Sequence, residues 1–114
     1  MGLLVAKKNE VVIVMPDEQL DTNTSPEAEK MLVEQIDAGE TRIVIDFSKT
    51  DYMSSAGLRV ILKTASLLQE KGGGFALCNA NEQIVEVLEI SGFLEIVKYF
   101  PSLEDAVTAV SEGE

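Results

Sequence analysis

Apolar and polar positions fall into short blocks along the chain, and the blocks predict its elements. LLVAKK (3–8) and EVVIVM (10–15) are short β-type runs around Asn9–Glu10. They predict a hairpin, because Asn tolerates the left-handed turn conformation. Pro16 ends the second run or sits on an exposed edge of it. A polar, loop-like stretch then leads to Ser25-Pro26-Glu27, a helix start with Ser25 as cap and Pro26 at the first helical position. Ala28, Met31, Leu32 and Ile36 continue at helical spacing, and Gly39 supplies the stop. RIVIDF (42–47) predicts a strand, SKTDYM a loop, and 54–71 the longest helix, with Leu58, Ile61, Leu62, Ala65 and Leu68 on its inner face. Gly72-Gly73-Gly74 ends that helix. FALCN (75–79) predicts a strand, and 82–91 a helix capped by Asn81, stopped by Gly92, with Ile84, Val87 and Leu88 inward. A last strand is expected at 95–99. Ser102 then caps a final helix that turns Leu103, Ala106, Val107 and Val110 inward.

The order is therefore β-β-α-β-α-β-α-β-α. Strand–helix–strand units imply parallel pairing with right-handed crossovers, and the opening hairpin makes the sheet mixed. The fold class is α/β: one domain over 1–114, its core about 3–111, with helices packed on a mixed sheet of about five strands. A hydrophobic content of 46% is ordinary for such a domain. The charge is not: nine Lys and Arg stand against 20 Asp and Glu, a net −11. That balance repels phosphate backbones, so direct nucleic-acid binding is not expected, whereas a basic partner is attracted. With no His and one Cys, no metal site, disulfide or cofactor is expected. No apolar run approaches the ~20 residues of a membrane span. The first residues do not form a signal peptide, and Gly2 lacks the Ser or Thr of an acylation site, Ala6 standing there. A cytoplasmic location is the expectation.

In open α/β sheets, function gathers beyond the carboxyl ends of strands, beside helix amino ends. The richest such junction is DFSKTDYMSSAGL (46–58), which enters the longest helix with two adjacent serines. Serines there serve as caps, but one can cap while the other stays exposed. A phosphate on the exposed one would meet free backbone N–H groups and a favourable helix dipole. Gly57, without a side chain, allows another backbone or a partner to approach closely. Met53 beside the serines is either packing or interface. Asp46 and Asp51 read as loop-forming or solvated carboxylates. EKGGGF lacks the Lys-Ser/Thr ending of a phosphate loop and reads as a helix stop. Cys78 lies in an apolar strand and reads as core. A hydrolase would need a base beside its Ser, and a receiver would need an acidic pair and a late Lys after a strand; neither set is assembled. No catalytic residue is expected, and a binding protein rather than an enzyme is the reading.

The run YMSSAGLRVIL, preceded by VIDFSKTD, resembles the anti-sigma-factor antagonists, whose domain is called STAS. Leu20-Asp21 is similar to that family's step before the first helix, and ISGFLEIVKYFPSLEDAV to its final turn, strand and helix. The resemblance covers almost the whole chain. It implies a bacterial partner switch: the unphosphorylated protein binds an anti-sigma factor that is also a serine kinase and frees a sigma factor. Phosphorylation of the serine matching Ser55 breaks the complex, and a serine phosphatase restores it. Ser54 stands where the family has Asp, which makes it the alternative acceptor, and Ala56 stands where the family has Ser or Thr. The implied partner-binding edge is Asp21, Thr22, Asp51, Met53, Ser54, Ser55, Ala56, Gly57 and Arg59. A phosphate there would repel Asp21, Asp46 or Asp51 if their loops converge. Two alternatives stay open: an unphosphorylated STAS module serving a transporter or signalling complex, and a receiver-like phosphoacceptor.

Overall fold

Apolar side chains alternate between the two sides of the central strands, and each side has its own cover. In the computed structural model, which describes residues 3–113, β1 (Leu3–Lys8) and β2 (Val11–Pro16) form the antiparallel hairpin. Asn9 and Glu10 turn it with φ of 54° and 67°, as a two-residue turn matched to strand twist requires. β4 (Arg42–Asp46) and β6 (Gly74–Cys78) follow β2 in parallel, and β7 (Lys98–Phe100) closes the row, giving the order β1-β2-β4-β6-β7. The mixed five-stranded sheet is the one the element order predicts.

Val12, Val14, Ile43, Ile45 and Leu77 point to one side, where α1 (Ser25–Asp37), α2 (Ser55–Glu70) and α3 (Glu82–Ile90) bury Leu32, Ile61 and Leu88 against them. Val11, Ile13, Val44, Ala76 and Cys78 point to the other, where α4 (Leu103–Gly113) lays Ala106, Val107 and Val110. Burial on both sides explains why these strands read as unbroken apolar runs rather than as alternation. Each fully buried aliphatic side chain contributes about 1.5–3 kcal/mol relative to exposure. Cys78 is core, as expected.

The helix ends follow the sequence signals closely. Asn81 caps α3 by accepting the Ile84 amide at 2.9 Å, and Ser102 accepts the Asp105 amide at 3.2 Å. α2 ends with Gly72 at φ 70°, its amide donating to Gln69 O and that of Gly73 to Leu68 O, the paired closure that satisfies the last carbonyls. Gly39 and Gly92 end α1 and α3.

Four expectations need correction. The cap position of α1 is Thr24, not Ser25: Ser25 lies inside the helix, 4% exposed, its hydroxyl without a hydrogen-bond partner. The turn before it is instead shaped by Asp21, whose Oδ1 accepts the Asn23 and Thr24 amides. The buried line of α2 runs through Gly57, Val60, Ile61, Thr64 and Leu68, while Leu58, Leu62 and Ala65 flank it half-buried. Thr64 is tolerated inside because its hydroxyl donates to Val60 O at 2.9 Å. The last strand is Lys98–Phe100 rather than 95–99, because Phe93–Glu95 makes a 3-10 turn that drives Phe93 into the core. Finally, two segments read as loops contain a second, two-stranded parallel sheet, β3 (Gln19–Leu20) with β5 (Tyr52–Met53). This small sheet organises the serine edge.

Candidate functional site

β5 is the last structure before the paired serines, and it is held from both sides. On one side Gln19 pairs with Tyr52 and Leu20 with Met53. The ladder is prolonged by Asp51 N donating to Glu18 O at 2.7 Å and Ser54 N to Leu20 O at 3.0 Å. On the other side no strand of the described residues pairs with it, and a side chain takes that place. Gln83 of α3 accepts the Met53 amide on Oε1 at 3.1 Å and donates from Nε2 to Met53 O at 3.3 Å. The amide group thus imitates a neighbouring peptide. Asn81 adds a third tie, Nδ2 donating to Asp51 O at 2.9 Å. Two elements remote in sequence, β3 and the start of α3, therefore fix where the serines stand.

Alternation along β5 then assigns the side chains. Met53 points inward and is 1% exposed; Tyr52 points outward and is 44% exposed. Ser54 is the extended cap residue of α2, its Oγ accepting the Gly57 amide at 3.4 Å. Ser55 is the first helical residue and is exposed. The two serines have divided the roles that the sequence left open between them: one caps, the other faces outward. Ser55 Oγ stands at the positive end of a 16-residue helix, beside backbone N–H groups with no partner within the helix.

Gly57 is buried, and the backbone that approaches it is the chain's own. A Cβ at this position would lie 2.5 Å from Leu20 O and 2.9 Å from Met53 Cγ. Gly57 and Met53 therefore build the edge from within and present no exposed side chain at it. The other expected residues are brought together. Asp21 follows Leu20 and Ser54 follows Met53 on paired parallel strands, so they emerge about 5 Å apart. Thr22, Asp51 and Arg59 are exposed around them, and Ala56 is half-buried. Asp46 does not join them: it is 3% exposed, and its Oδ1 accepts the Ser48 amide and Asn79 Nδ2.

Sequence reasoning missed Gln83, Asn81's tie to Asp51, and the outward face of Tyr52. An aromatic residue directly before a buried Met in a two-residue strand is a usable signal for Tyr52. Gln83 carries none, since a Gln in the first turn of an amphipathic helix reads as a solvated position.

Chemically the edge offers hydroxyls, carboxylates and one guanidinium. Among the described residues no group of three His, Cys, Asp or Glu side chains is placed to hold a metal ion, and no helix is long and apolar enough to cross a membrane. Burial, with the nearby Asp46 charge, pushes the Cys78 thiol up to about 12, which leaves it protonated and unreactive.

The chain is similar to known proteins in sequence and in fold. The family model described as STAS domain matches residues 3–106. A Bordetella bronchiseptica protein named as a candidate anti-sigma factor antagonist, BtrV, is 44% identical over 108 residues, covering 95% of this chain and 86% of its own. The crystal structure of an anti-sigma factor antagonist from Mycobacterium paratuberculosis superposes with a TM-score of 0.84 at 26% identity, over 95% of this chain and 92% of that one. The Bacillus cell fate determinant SpoIIAA in its phosphorylated form shares the fold, with a TM-score of 0.76 at 21% identity over 95% and 98% of the two chains. The match over nearly the whole chain, in sequence and in fold, settles the family: the chain belongs to the STAS domain family of anti-sigma factor antagonists.

Proposed function

We propose that this protein is a phosphorylation-controlled partner switch. In its unphosphorylated form it binds an anti-sigma factor that is also a serine kinase, in the bacterial cytoplasm, and so frees a sigma factor. The kinase moves the γ-phosphoryl group of ATP to Ser55: the Ser55 Oγ–P bond forms, ADP leaves, and the hydroxyl proton passes to a base on the kinase. The complex then parts, and a serine phosphatase hydrolyses the ester to restore it. The chain itself is a substrate and a binding surface, not an enzyme.

One observation carries this reading. Ser54 takes the cap, and Ser55 is left exposed at the helix mouth, its hydroxyl making no hydrogen bond among the described residues. The physics follows from the surroundings. A phosphate adds roughly −1.5 to −2 charges to a chain already at −11, beside exposed Asp51 and the half-buried Asp21. A loss of ~3 kcal/mol in binding is about a hundredfold in affinity, enough to exchange one partner for another. Tyr52, outward beside Ser55, supplies the aromatic surface that interfaces favour.

The test is capture of partners from the native cell on Ser55→Ala and Ser55→Asp proteins, with mass-spectrometric mapping of phosphate on the wild type. A serine kinase retained by Ser55→Ala and lost from Ser55→Asp, with phosphate on Ser55, is the expected result. Equal retention on both would refute the switch in favour of a constitutive module.

A further inference from the structure

Beside Ser55 a groove of about 500 Å³ opens between the first turns of α1 and α2. Its lining includes Thr22, Ser25, Glu29, Ala56, Arg59 and Lys63. Two features bear on what it could hold. The first is charge. Among the described residues the ion pairs are Lys7 with Glu40 and Lys63 with Glu29. Lys63 is therefore neutralised at the groove itself, whereas Arg59 is exposed and paired with no carboxylate. The second is Ser25. Its residue is 4% exposed, and its hydroxyl is the buried side-chain polar atom that finds no hydrogen-bond partner among the described residues. A buried donor left unmade is costly and marks a place where something polar belongs.

Arg59 also lies four residues after Ser55 on α2. That spacing puts the two Cβ atoms about 5–6 Å apart on one face. A guanidinium reaches a phosphate at that distance, with planar donors that match its oxygens.

We propose that the groove seats a carboxylate side chain of the switching partner on Arg59, and that a phosphate on Ser55 withdraws Arg59 by pairing with it within the chain. The proposal rests on the reading of Ser55 as the modified residue and deepens it by naming the chemistry of the contact. On a surface of net −11, an acidic side chain is attracted only where a cation stands, and Arg59 is the cation one helical turn from Ser55. The unpaired guanidinium therefore fixes the register of docking as well as adding attraction. Phosphorylation then acts twice, by adding negative charge where the partner's carboxylate must come and by occupying the cation that received it.

Two measurements separate this proposal from the reading beneath it. In the first, protein carrying phosphoserine installed at position 55 is titrated by phosphorus NMR. The second ionisation of the phosphate, near pH 6 in the free group, is expected to rise by about half a pH unit in Arg59→Ala, a roughly threefold change in proton affinity. It should stay in place in Lys63→Ala. In the second, the serine kinase retained on Ser55→Ala protein is titrated with Arg59→Ala and Arg59→Lys variants. About a tenfold or greater loss is expected for Ala, with partial recovery for Lys. Reversal of one acidic partner residue to Arg is expected to restore binding to Arg59→Glu. An unmoved phosphate midpoint, or kinase affinity indifferent to Arg59, overturns the proposal. Recovery of no kinase at all fails the switch reading instead, and the phosphate titration is decided independently of it.

Discussion

Replacing Gly57 by Ala sets two physical effects against each other at the serine edge. Ala is the better helix former by about 1 kcal/mol, so a Gly57 whose absent side chain served no purpose would be improved by the change. The structure predicts the opposite. The new methyl would stand 2.5 Å from Leu20 O, a backbone atom that cannot swing away, and 2.9 Å from Leu20 Cγ and Met53 Cγ. Relief requires the first turn of α2 to retreat from β3. Overpacking of this kind costs about 1–3 kcal/mol. The same carbonyl accepts the Ser54 amide at 3.0 Å, and weakening that bond adds about 1 kcal/mol. After the propensity gain, a net destabilisation of about 1–3 kcal/mol remains. For a domain of this size 2 kcal/mol lowers Tm by roughly 8 °C. Urea unfolding gives the free energy, and hydrogen exchange at the Ser54 amide gives the location, since that amide should lose protection before the central sheet does. A Gly57→Ala protein as stable as the wild type, with Ser54 equally protected, would refute the close contact and with it the account of why this position lacks a side chain.

Three further outcomes are expected. Ser54→Ala removes the cap of α2 and should cost about 0.5–2 kcal/mol in urea unfolding, whereas Ser54→Asp, a stronger acceptor at the positive helix end, should match or exceed the wild type. Gln83→Ala removes both hydrogen bonds to the Met53 backbone; about 1–2 kcal/mol is lost, and hydrogen exchange should quicken at Met53, with little change in the β2–β4 ladder. The Cys78 thiol is pushed up to about 12, first by burial and then by Asp46. Its neutral form is therefore favoured in the fold, so its contribution to stability is complete below the unfolded value near 8.5 and declines as pH rises toward 12; a Cys78→Ala protein should lose that alkaline slope, and a thiol reagent at pH 8 should label the native wild type only as fast as it unfolds.

Those elements that the sequence pattern predicted well are the ones with a period or a punctuation mark. The hairpin follows from Asn9–Glu10, the strand expected at 42–47 from its β-branched run, the one expected at 75–79 from a short apolar run after three glycines, and the helix ends from Asn81, Gly39, Gly72 and Gly92. β3 and β5 carried neither, because two residues are too few for alternation to register. They exist only because Leu20 and Met53 meet across some thirty residues of intervening chain. The division of labour between Ser54 and Ser55 was within reach of capping rules but undecided by them. It is settled by the Leu20 carbonyl, which pins Ser54 in the extended conformation a cap needs. The buried line of α2 runs about one position ahead of its apolar pattern, because a Thr and a Gly on a helix count as polar or neutral until their neighbours are known. Ser25 reads as a cap beside Pro26, yet the cap position is Thr24 and the turn is shaped four residues before Ser25 by Asp21, whose carboxylate accepts two amides.

The props beneath the serine edge are mostly main-chain atoms: Glu18 O, Leu20 O, the amides of Asp51 and Ser54, and both polar groups of Met53. Side chains at 22, 52, 55 and 59 contribute little to that scaffolding and stand outside it. Evolution can therefore rewrite the outward letters without disturbing the frame that displays them. A cell that duplicates such a domain can tune each copy to its own partner through a few surface substitutions, keeping parallel circuits insulated from crosstalk while every copy folds alike.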